Sequence, residues 1–288
     1  MKWTLSAFAD EAASPIDGQI AALRRAGLRH VDLRAVDGVN ISELPIEQAR
    51  EARQRLDRAG VVVTMFGSPI GKIDIQDDAG IDLGKLEHLG KLADVFDCRW
   101  VRVFSYYNRT GQSSGRWRDE SLLRLRRLRQ TAAGLKLVLF LENEADIYGD
   151  RAAQVLELAQ DLRDEGSFRL IFDFDNFHQS AEDTWDTWLM LRDFIDAFHL
   201  KDSDAQRRHV PMGQGATQAT RILSDARSRG WTGPLAVEPH LKNSAAVTAT
   251  GGHGGESEQF ADMSDGQCFQ VAVEAARRVL DQVGAKVD

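Results

Sequence analysis

The chain is predicted to fold as a closed barrel of eight parallel strands, each followed by a helix. Strand-like and helix-like segments alternate eight times along 288 residues, a length near the usual size of one such barrel. Strands alternating with helices of this length call for a parallel sheet with right-handed crossovers. In the second half, four strand-like segments (Leu137 to Glu142, Phe168 to Asp173, Ile195 to His199, Pro234 to Glu238) each end in a potential metal ligand. The C-terminal strand ends of a barrel converge on one mouth, so residues 25 to 40 positions apart would meet there. An open doubly wound sheet is the competing arrangement, but it normally carries a Gly-rich fingerprint after its first strand, and FADEAAS has none.

Each element rests on its own pattern. Trp3 to Phe8 reads as a strand, and Pro15 to Ala26 repeats Ile16, Ile20 and Leu23 at helical spacing before Gly27 stops it. His30 to Leu33, Val61 to Phe66 and Trp100 to Phe104 give the next three strands, with helices over Ile46 to Ala59, Leu83 to Phe96 and Asp119 to Ala133. The second half continues with strand Leu137 to Leu141, helix Arg151 to Arg163, strand Arg169 to Phe172 and helix Thr184 to Asp193. Strand Ala197 to Leu200, helix Thr217 to Arg229, strand Leu235 to Val237 and helix Gln267 to Val283 complete eight units. No linker divides residues 1–288, so one domain is expected. The low-complexity stretch 243–266 lies between the eighth strand and the last helix and reads either as a disordered insertion or as a mobile lid. Ser105 to Asp119 leaves the fourth strand at the same mouth and brings Tyr106, Tyr107 and Trp117, to wall a pocket or to pack on the rim.

Composition narrows the function classes. A net charge of −8 and a pI near 5.4 disfavour nucleic acid and anionic membrane surfaces as partners. The basic cluster Arg124, Arg126, Arg127 and Arg129 reads as a solvated helix face rather than a phosphate-binding stripe. Cys98 and Cys268 stand in no metal-binding spacing and suggest no disulfide framework, which fits a reducing cytoplasm. The N-terminal segment lacks a signal-peptide core and no run of ~18 apolar residues occurs, so a cytoplasmic, unexported protein is expected.

The chemistry lies in Glu142, Asp173, His199 and Glu238. Three carboxylates and one imidazole favour Mn²⁺, Mg²⁺ or Co²⁺ over a structural zinc, which prefers sulfur and nitrogen. The sixth strand leaves two overlapping choices in FDFDNFH: Asp173 with Asn176, or Asp175 with His178.

Several strings carry a resemblance. LENE followed by IYGD, FDFDNFHQ, HLKD with a later VPMGQG, and VEPH resemble the sugar phosphate isomerase/epimerase group of the xylose isomerase-like TIM barrel superfamily. FADE, VDLR with DGVN, GSPIGK and VRVFSYY, in the first half, are similar to segments of the same group. The resemblance implies one divalent metal ion, Mn²⁺ favoured and Mg²⁺, Co²⁺ or Zn²⁺ the other candidates, on Glu142, Asp173, His199 and Glu238. It tips the sixth strand towards Asp173, since Asp173, Asn176, Phe177 and Gln179 fit the commoner pattern; the ketose 3-epimerase pattern would fit Asp175 and His178. It also implies a ketose substrate, a sugar or sugar phosphate, chelated through its carbonyl and a neighbouring hydroxyl and reacting through an enediolate. In the related epimerases the glutamates matching Glu142 and Glu238 remove the proton from one face and return it to the other. A homodimer is expected from the resemblance alone.

The outer roles are assigned to Asn176, Lys201, Glu144, Lys72, Arg34 and His240 as substrate-binding residues. Arg34 and Lys72 would take a phosphate or carboxylate, or pair with Asp32 or Asp74; Lys201 would reach a substrate oxygen or pair with Asp202; His240 would orient a ligand. Gly213 and Gly215 would shape the turn returning Arg208 or His209 to the mouth. A metal-dependent dehydratase or related lyase on a keto acid or keto-inositol is the alternative, because it begins with the same deprotonation. An abasic-site endonuclease is more remote: its three-zinc cluster needs histidines on the third and fourth strands, where MFGS and VFSYY have none. A non-catalytic sugar-binding barrel would have lost one of the two glutamates, and both are present.

Overall fold

A computed structural model describes residues 3–242, 244–249 and 258–287. Its strands are β1 (Thr4–Ala7), β2 (His30–Leu33), β3 (Val62–Phe66), β4 (Trp100–Val103), β5 (Val138–Glu142), β6 (Phe168–Asp173), β7 (Ile195–Leu200) and β8 (Pro234–Val237). They form one parallel sheet in the order β1-β8-β7-β6-β5-β4-β3-β2, a nearly closed barrel. The two end strands, β1 and β2, are bridged by side chains: Ser6 Oγ donates to Asp32 Oδ1 at 2.7 Å.

The principal helices are α1 (Ile16–Arg25), α2 (Ile46–Ala59), α3 (Gly80–Phe96), α4 (Ser114–Gly134), α5 (Ala152–Leu162), α6 (Thr184–Leu191), α7 (Ala219–Ser228) and α8 (Asp265–Gln282). Their ends follow local chemistry. Gly60 closes α2 in the left-handed conformation, and Ser264 with Gln267 forms a capping box on α8. Helix α4 starts five residues before the predicted Asp119, because Ser113 accepts a hydrogen bond from the Arg116 backbone and caps it there.

Alternation along each strand builds two cores and the site together. Leu139, Leu141, Leu170, Phe172, Phe198, Leu200, Leu235 and Val237 join the large cluster to which the helices contribute. Residues of the opposite parity, Met65, Phe140, Ile171 and Ala197, form a separate small cluster flanked by Trp100 and Val138. Side chains two apart share a strand face, so Glu142 follows Phe140, Asp173 follows Ile171 and His199 follows Ala197 on that inner face. An apolar plug thus ends in a polar layer at the mouth.

Of the basic cluster, Arg126 and Arg127 are exposed, as a solvated helix face requires, and Arg124 departs from it. Arg124 is 8 % exposed, lies over the Tyr106 ring and donates to Glu120 and the Ile75 carbonyl. Arg126 pairs with Asp161, and Arg129 donates to the Leu162 carbonyl. Three of the four side chains therefore tie α4 to its neighbours.

Candidate metal centre

Glu142, Asp173, His199 and Glu238 are all buried, and one potential ligand atom from each lies within 4.8 Å of the other three. Among the described residues this is the one such cluster. The glutamates reach it from β5 and from the residue after β8, strands separated by β6 and β7. His199 stands between them, with Nδ1 2.8 Å from Glu142 Oε1 and 3.4 Å from Glu238 Oε1.

The donor set fits a divalent ion. His199 Nε2 and Asp173 Oδ2 are buried without a hydrogen-bond partner, although Lys201 Nζ approaches Asp173 Oδ2 to 3.4 Å. Buried polar atoms are ordinarily satisfied. Three carboxylates with one imidazole suit a cation with hard-ligand preference, and together these observations mark the cluster as able to hold a metal.

Cations of the chain share the carboxylates. Arg102 Nη1 donates to Glu142 Oε2 at 3.1 Å and Glu238 Oε1 at 2.9 Å. Lys201 Nζ lies 3.2 Å from Glu238 Oε2 and donates to Asn176 Oδ1 at 2.9 Å. Burial opposes charge on Glu238, Asp173 and His199, and the partners outweigh it at Glu238 and His199. Lys201 and His199 hold Glu238 well below the usual carboxylate range despite its burial. Burial pushes Asp173 well above that range, with Lys201 opposing and Glu142 and Glu238 adding to the rise. His199 is raised to about 10 because Glu142 and Glu238 outweigh its burial.

Residues 20–253 match the family described as xylose isomerase-like TIM barrel. The chain belongs to that family. A curated relative, the 3-dehydroshikimate dehydratase of Bacillus anthracis, is 24 % identical over 185 residues, which make up 64 % of this chain and 65 % of that enzyme. The match thus spans just under two thirds of the dehydratase. The solved structure of IolI with a bound zinc atom is similar at a TM-score of 0.74 and 13 % identity, over 97 % of this chain and 99 % of that one. D-Psicose 3-epimerase, solved in the presence of D-fructose, gives a TM-score of 0.73 and 14 % identity, over 98 % and 100 % of the two chains. Structural neighbours in the superfamily therefore include an epimerase as well as a zinc-bound protein, and the curated relative is a dehydratase.

In this xylose isomerase-like barrel the two choices on the sixth strand are separated by geometry. Asp173 ends β6 and caps the following short helix, Phe174–Gln179, by accepting from the Asn176 backbone at 2.7 Å. Asp175 instead meets His209, whose Nε2 lies 3.0 Å away, and accepts from Gln179. His178 contacts Ser203. Burial raises the Asp175 carboxyl, but the His209 contacts outweigh this and depress it strongly.

The outer residues correct several expected pairings. Arg34 forks onto Asp10 at 2.7 and 2.9 Å and reaches Glu11 at 3.1 Å, not Asp32 or Asp74. Lys72 pairs with Glu144 at 2.7 Å. Asp202 does not pair with Lys201: its carboxylate accepts from the backbone of Gly213, Gly215 and Thr217 and from the Thr217 hydroxyl. The VPMGQG segment is thereby folded onto Asp202. His209 is brought back to the mouth, whereas Arg208 pairs with Asp204 on the surface. Glu11 accepts from the His240 backbone N–H at 2.8 Å and its Oε1 lies 3.1 Å from His240 Nδ1, with Nε2 3.9 Å from Glu238 Oε2.

Arg102 is a site residue that the strand-end pattern does not single out. A signal for it exists in the sequence, since its parity on β4 makes it an inward residue at the mouth end, like the three acids and the imidazole of the later strands. Arg102 also lines a cavity of about 470 Å³ together with Arg34, Lys72, Tyr107 and Arg109. Tyr107 is thus a wall residue, whereas Tyr106 is fully buried and Trp117 donates to its carbonyl. Gly71 allows this wall to close: with φ at +88°, a Cβ there would lie 2.1 Å from the Phe104 carbonyl oxygen. Of the 243–266 loop, residues 243 and 250–257 lie outside the described residues; Ser244 and Ala246 line the cavity. Among the described residues no helix is long and apolar enough to cross a membrane.

Proposed function

We propose that this chain is a divalent-metal-dependent isomerase or epimerase that moves a proton beside the carbonyl of a polyhydroxy ketone. The observation carrying this reading is the approach of Glu142 and Glu238 to one buried imidazole and one guanidinium, next to a cavity that the guanidinium also lines. Glu142, Asp173, His199 and Glu238 would hold the metal. A bound divalent ion supplies Lewis acidity, which acidifies the carbon next to a polarised carbonyl.

The chain's residues supply the remainder. Glu238, favoured in its ionised form by Lys201 and His199, takes the proton. Glu142, entering the turnover with a proton, would deliver it from its own side of the mouth, and exchange with water would then return Glu238 and Glu142 to their starting states. Return to the other face of the same carbon gives an epimer; return to the neighbouring carbon gives an isomer. Lys201, steadied by Asn176, holds a substrate oxygen, and Glu11 keeps His240 beside Glu238. A dehydratase is the second reading, favoured by the 24 % identity to 3-dehydroshikimate dehydratase. It shares the proton removal and then expels a hydroxyl.

The test is hydrogen exchange. EDTA-treated protein, with and without Mn²⁺, is incubated in D₂O with ketoses, ketose phosphates and hydroxylated keto acids and followed by NMR. Deuterium beside the carbonyl is expected only with metal, and Glu238→Gln should slow its uptake by roughly 10²–10⁴-fold. Loss of water from the product would select the dehydratase. Metal binding without exchange on any compound would refute both readings.

A further inference from the structure

The balance of charge around the 470 Å³ cavity points to a substrate property that the metal cluster alone does not fix. Among the described residues four cations line it: Arg34, Lys72, Arg102 and Arg109. Three face carboxylates. Arg34 is held by Asp10 and Glu11, Lys72 pairs with Glu144, and Arg102 is shared by Glu142 and Glu238. The lining acid Asp265 stands 3.9 Å from Lys242.

Arg109 differs. Its guanidinium lies over the Tyr107 ring at 4.3 Å, and no carboxylate of the described residues is within ion-pair distance of it. Its backbone is fixed, since the Arg109 N–H donates to Asp74 Oδ2 at 2.6 Å and the Thr110 hydroxyl donates to Asp74 Oδ1 at 3.2 Å. A cation stacked on an aromatic face and anchored at its backbone loses less freedom on meeting an anion than a mobile one. At the inner end, Arg102 is 4 % exposed, and its Nε has no hydrogen-bond partner. Among the described residues the cavity therefore has a buried, unsatisfied donor beside the glutamates and, on its wall, one exposed guanidinium that no carboxylate pairs with.

We propose that the substrate of this site is a carboxylate-bearing polyhydroxy ketone, its carboxylate on Arg109 and its reacting end against Arg102. This rests on the proton-transfer reading above for the identity of the reacting end. Among the described residues a single cation of the wall is without a carboxylate, which matches a monoanion. A phosphate dianion would need a second free cation, and Glu144, Asp10 and Asp265 already occupy the neighbouring positions. A planar guanidinium also suits the two oxygens of a carboxylate.

Three unreactive probes, none carrying a ketone, separate this from the chemistry: D-gluconate, neutral D-glucitol and dianionic D-glucitol 6-phosphate. Binding is measured by calorimetry on EDTA-treated and on Mn²⁺-supplemented protein. D-Gluconate should bind at least tenfold tighter than D-glucitol, on the order of one charge-assisted contact. Arg109→Gln should erase that advantage in both preparations, Arg109→Lys should restore part of it, and melting curves should show both variants folded. Equal affinity for D-gluconate and D-glucitol, or an advantage that survives Arg109→Gln, would overturn the proposal. Tighter, Arg109-dependent binding of D-glucitol 6-phosphate than of D-gluconate would also overturn it, in favour of a phosphorylated substrate. Arg109-dependent D-gluconate binding without exchange in D₂O would remove the proton-transfer reading and leave the carboxylate site standing.

Discussion

The second half of the barrel brings the ligand acids Glu142, Asp173 and Glu238 to the mouth, from β5, β6 and the residue after β8, with Lys201 beside them, whereas the first half brings Arg34, Lys72, Arg102 and Arg109 on and after β2, β3 and β4. The first half's own acids Asp10 and Glu11 are taken up by Arg34. Arg102 is where the two halves meet, because one of its nitrogens contacts both glutamates. The division explains how three acids can be buried within a few ångströms. Unpaired charges in such surroundings would be costly, and each half supplies part of what the other needs. It also separates two tasks: one half carries ligands for a metal, the other the groups that meet the remainder of a substrate.

Removing the junction should break the comparison most strongly. Arg102→Gln leaves Glu142 and Glu238 with His199, Lys201 and the more distant His240 as counter-ions among the described residues. Loss of one partner from a buried charge pair costs about 3–5 kcal/mol, so the EDTA-treated variant should melt well below wild type. Mn²⁺ should raise its melting temperature more than it raises that of wild type, because the ion replaces the missing charge and binding stabilises the folded state. Equal melting temperatures in EDTA would show that the first half contributes no needed counter-charge.

A smaller effect should distinguish the two aspartates of the sixth strand. Asp173→Asn is expected to weaken Mn²⁺ binding about a hundredfold, roughly 2.7 kcal/mol, as read by calorimetry. Asp175→Asn should leave Mn²⁺ affinity within a few-fold and instead cost about 1–3 kcal/mol of stability, since it breaks the contact with buried His209. The reverse order of metal affinities would assign the ligand role to Asp175.

Why one half is readable from sequence and the other is not follows from the kinds of interaction involved. Glu142, Asp173 and His199 are last or near-last residues of strands whose β-branched and aromatic runs are plain in the sequence, and parity along the strand dictates that they point inward. Strand ends therefore place the acids without any knowledge of loops. The cations depend on long-range pairing. Arg34 finds Asp10, 24 positions away, and Lys72 finds Glu144, 72 positions away, and no local pattern encodes either partner. Asp202 looks like the ion-pair partner of its neighbour Lys201 because its true partners, the backbone groups of Gly213, Gly215 and Thr217, become adjacent only when the intervening loop folds back. Helix α4 begins early for a local reason, the cap at Ser113, which hydrophobic periodicity does not register.

Asp32 gives the subtlest test, as an acid on the cationic half. It ends no ligand set; it sits 2 % exposed at the β1–β2 junction, accepting from Ser6 Oγ. Burial raises its carboxyl to about 6, with His199, Ser6 and Arg102 opposing. A carboxyl near 3.9 in the unfolded chain and about 6 in the folded one binds its proton more tightly when folded. The stability associated with that proton is present below about pH 4 and is lost as pH rises through about 6, the reverse of a salt-bridged aspartate. Asp32→Asn keeps an acceptor for Ser6 and removes the titration. At pH 8 the variant should therefore be more stable than wild type by about 1–3 kcal/mol, since each tenfold difference in proton affinity between the folded and unfolded chain corresponds to about 1.36 kcal/mol. The difference should shrink as pH falls from 6 to 4. Denaturant unfolding at several pH values, with EDTA present, measures it. A variant less stable than wild type at pH 8 would mean that ionised Asp32 is a needed counter-ion for Arg102 and His199, as Asp10 and Glu11 are for Arg34.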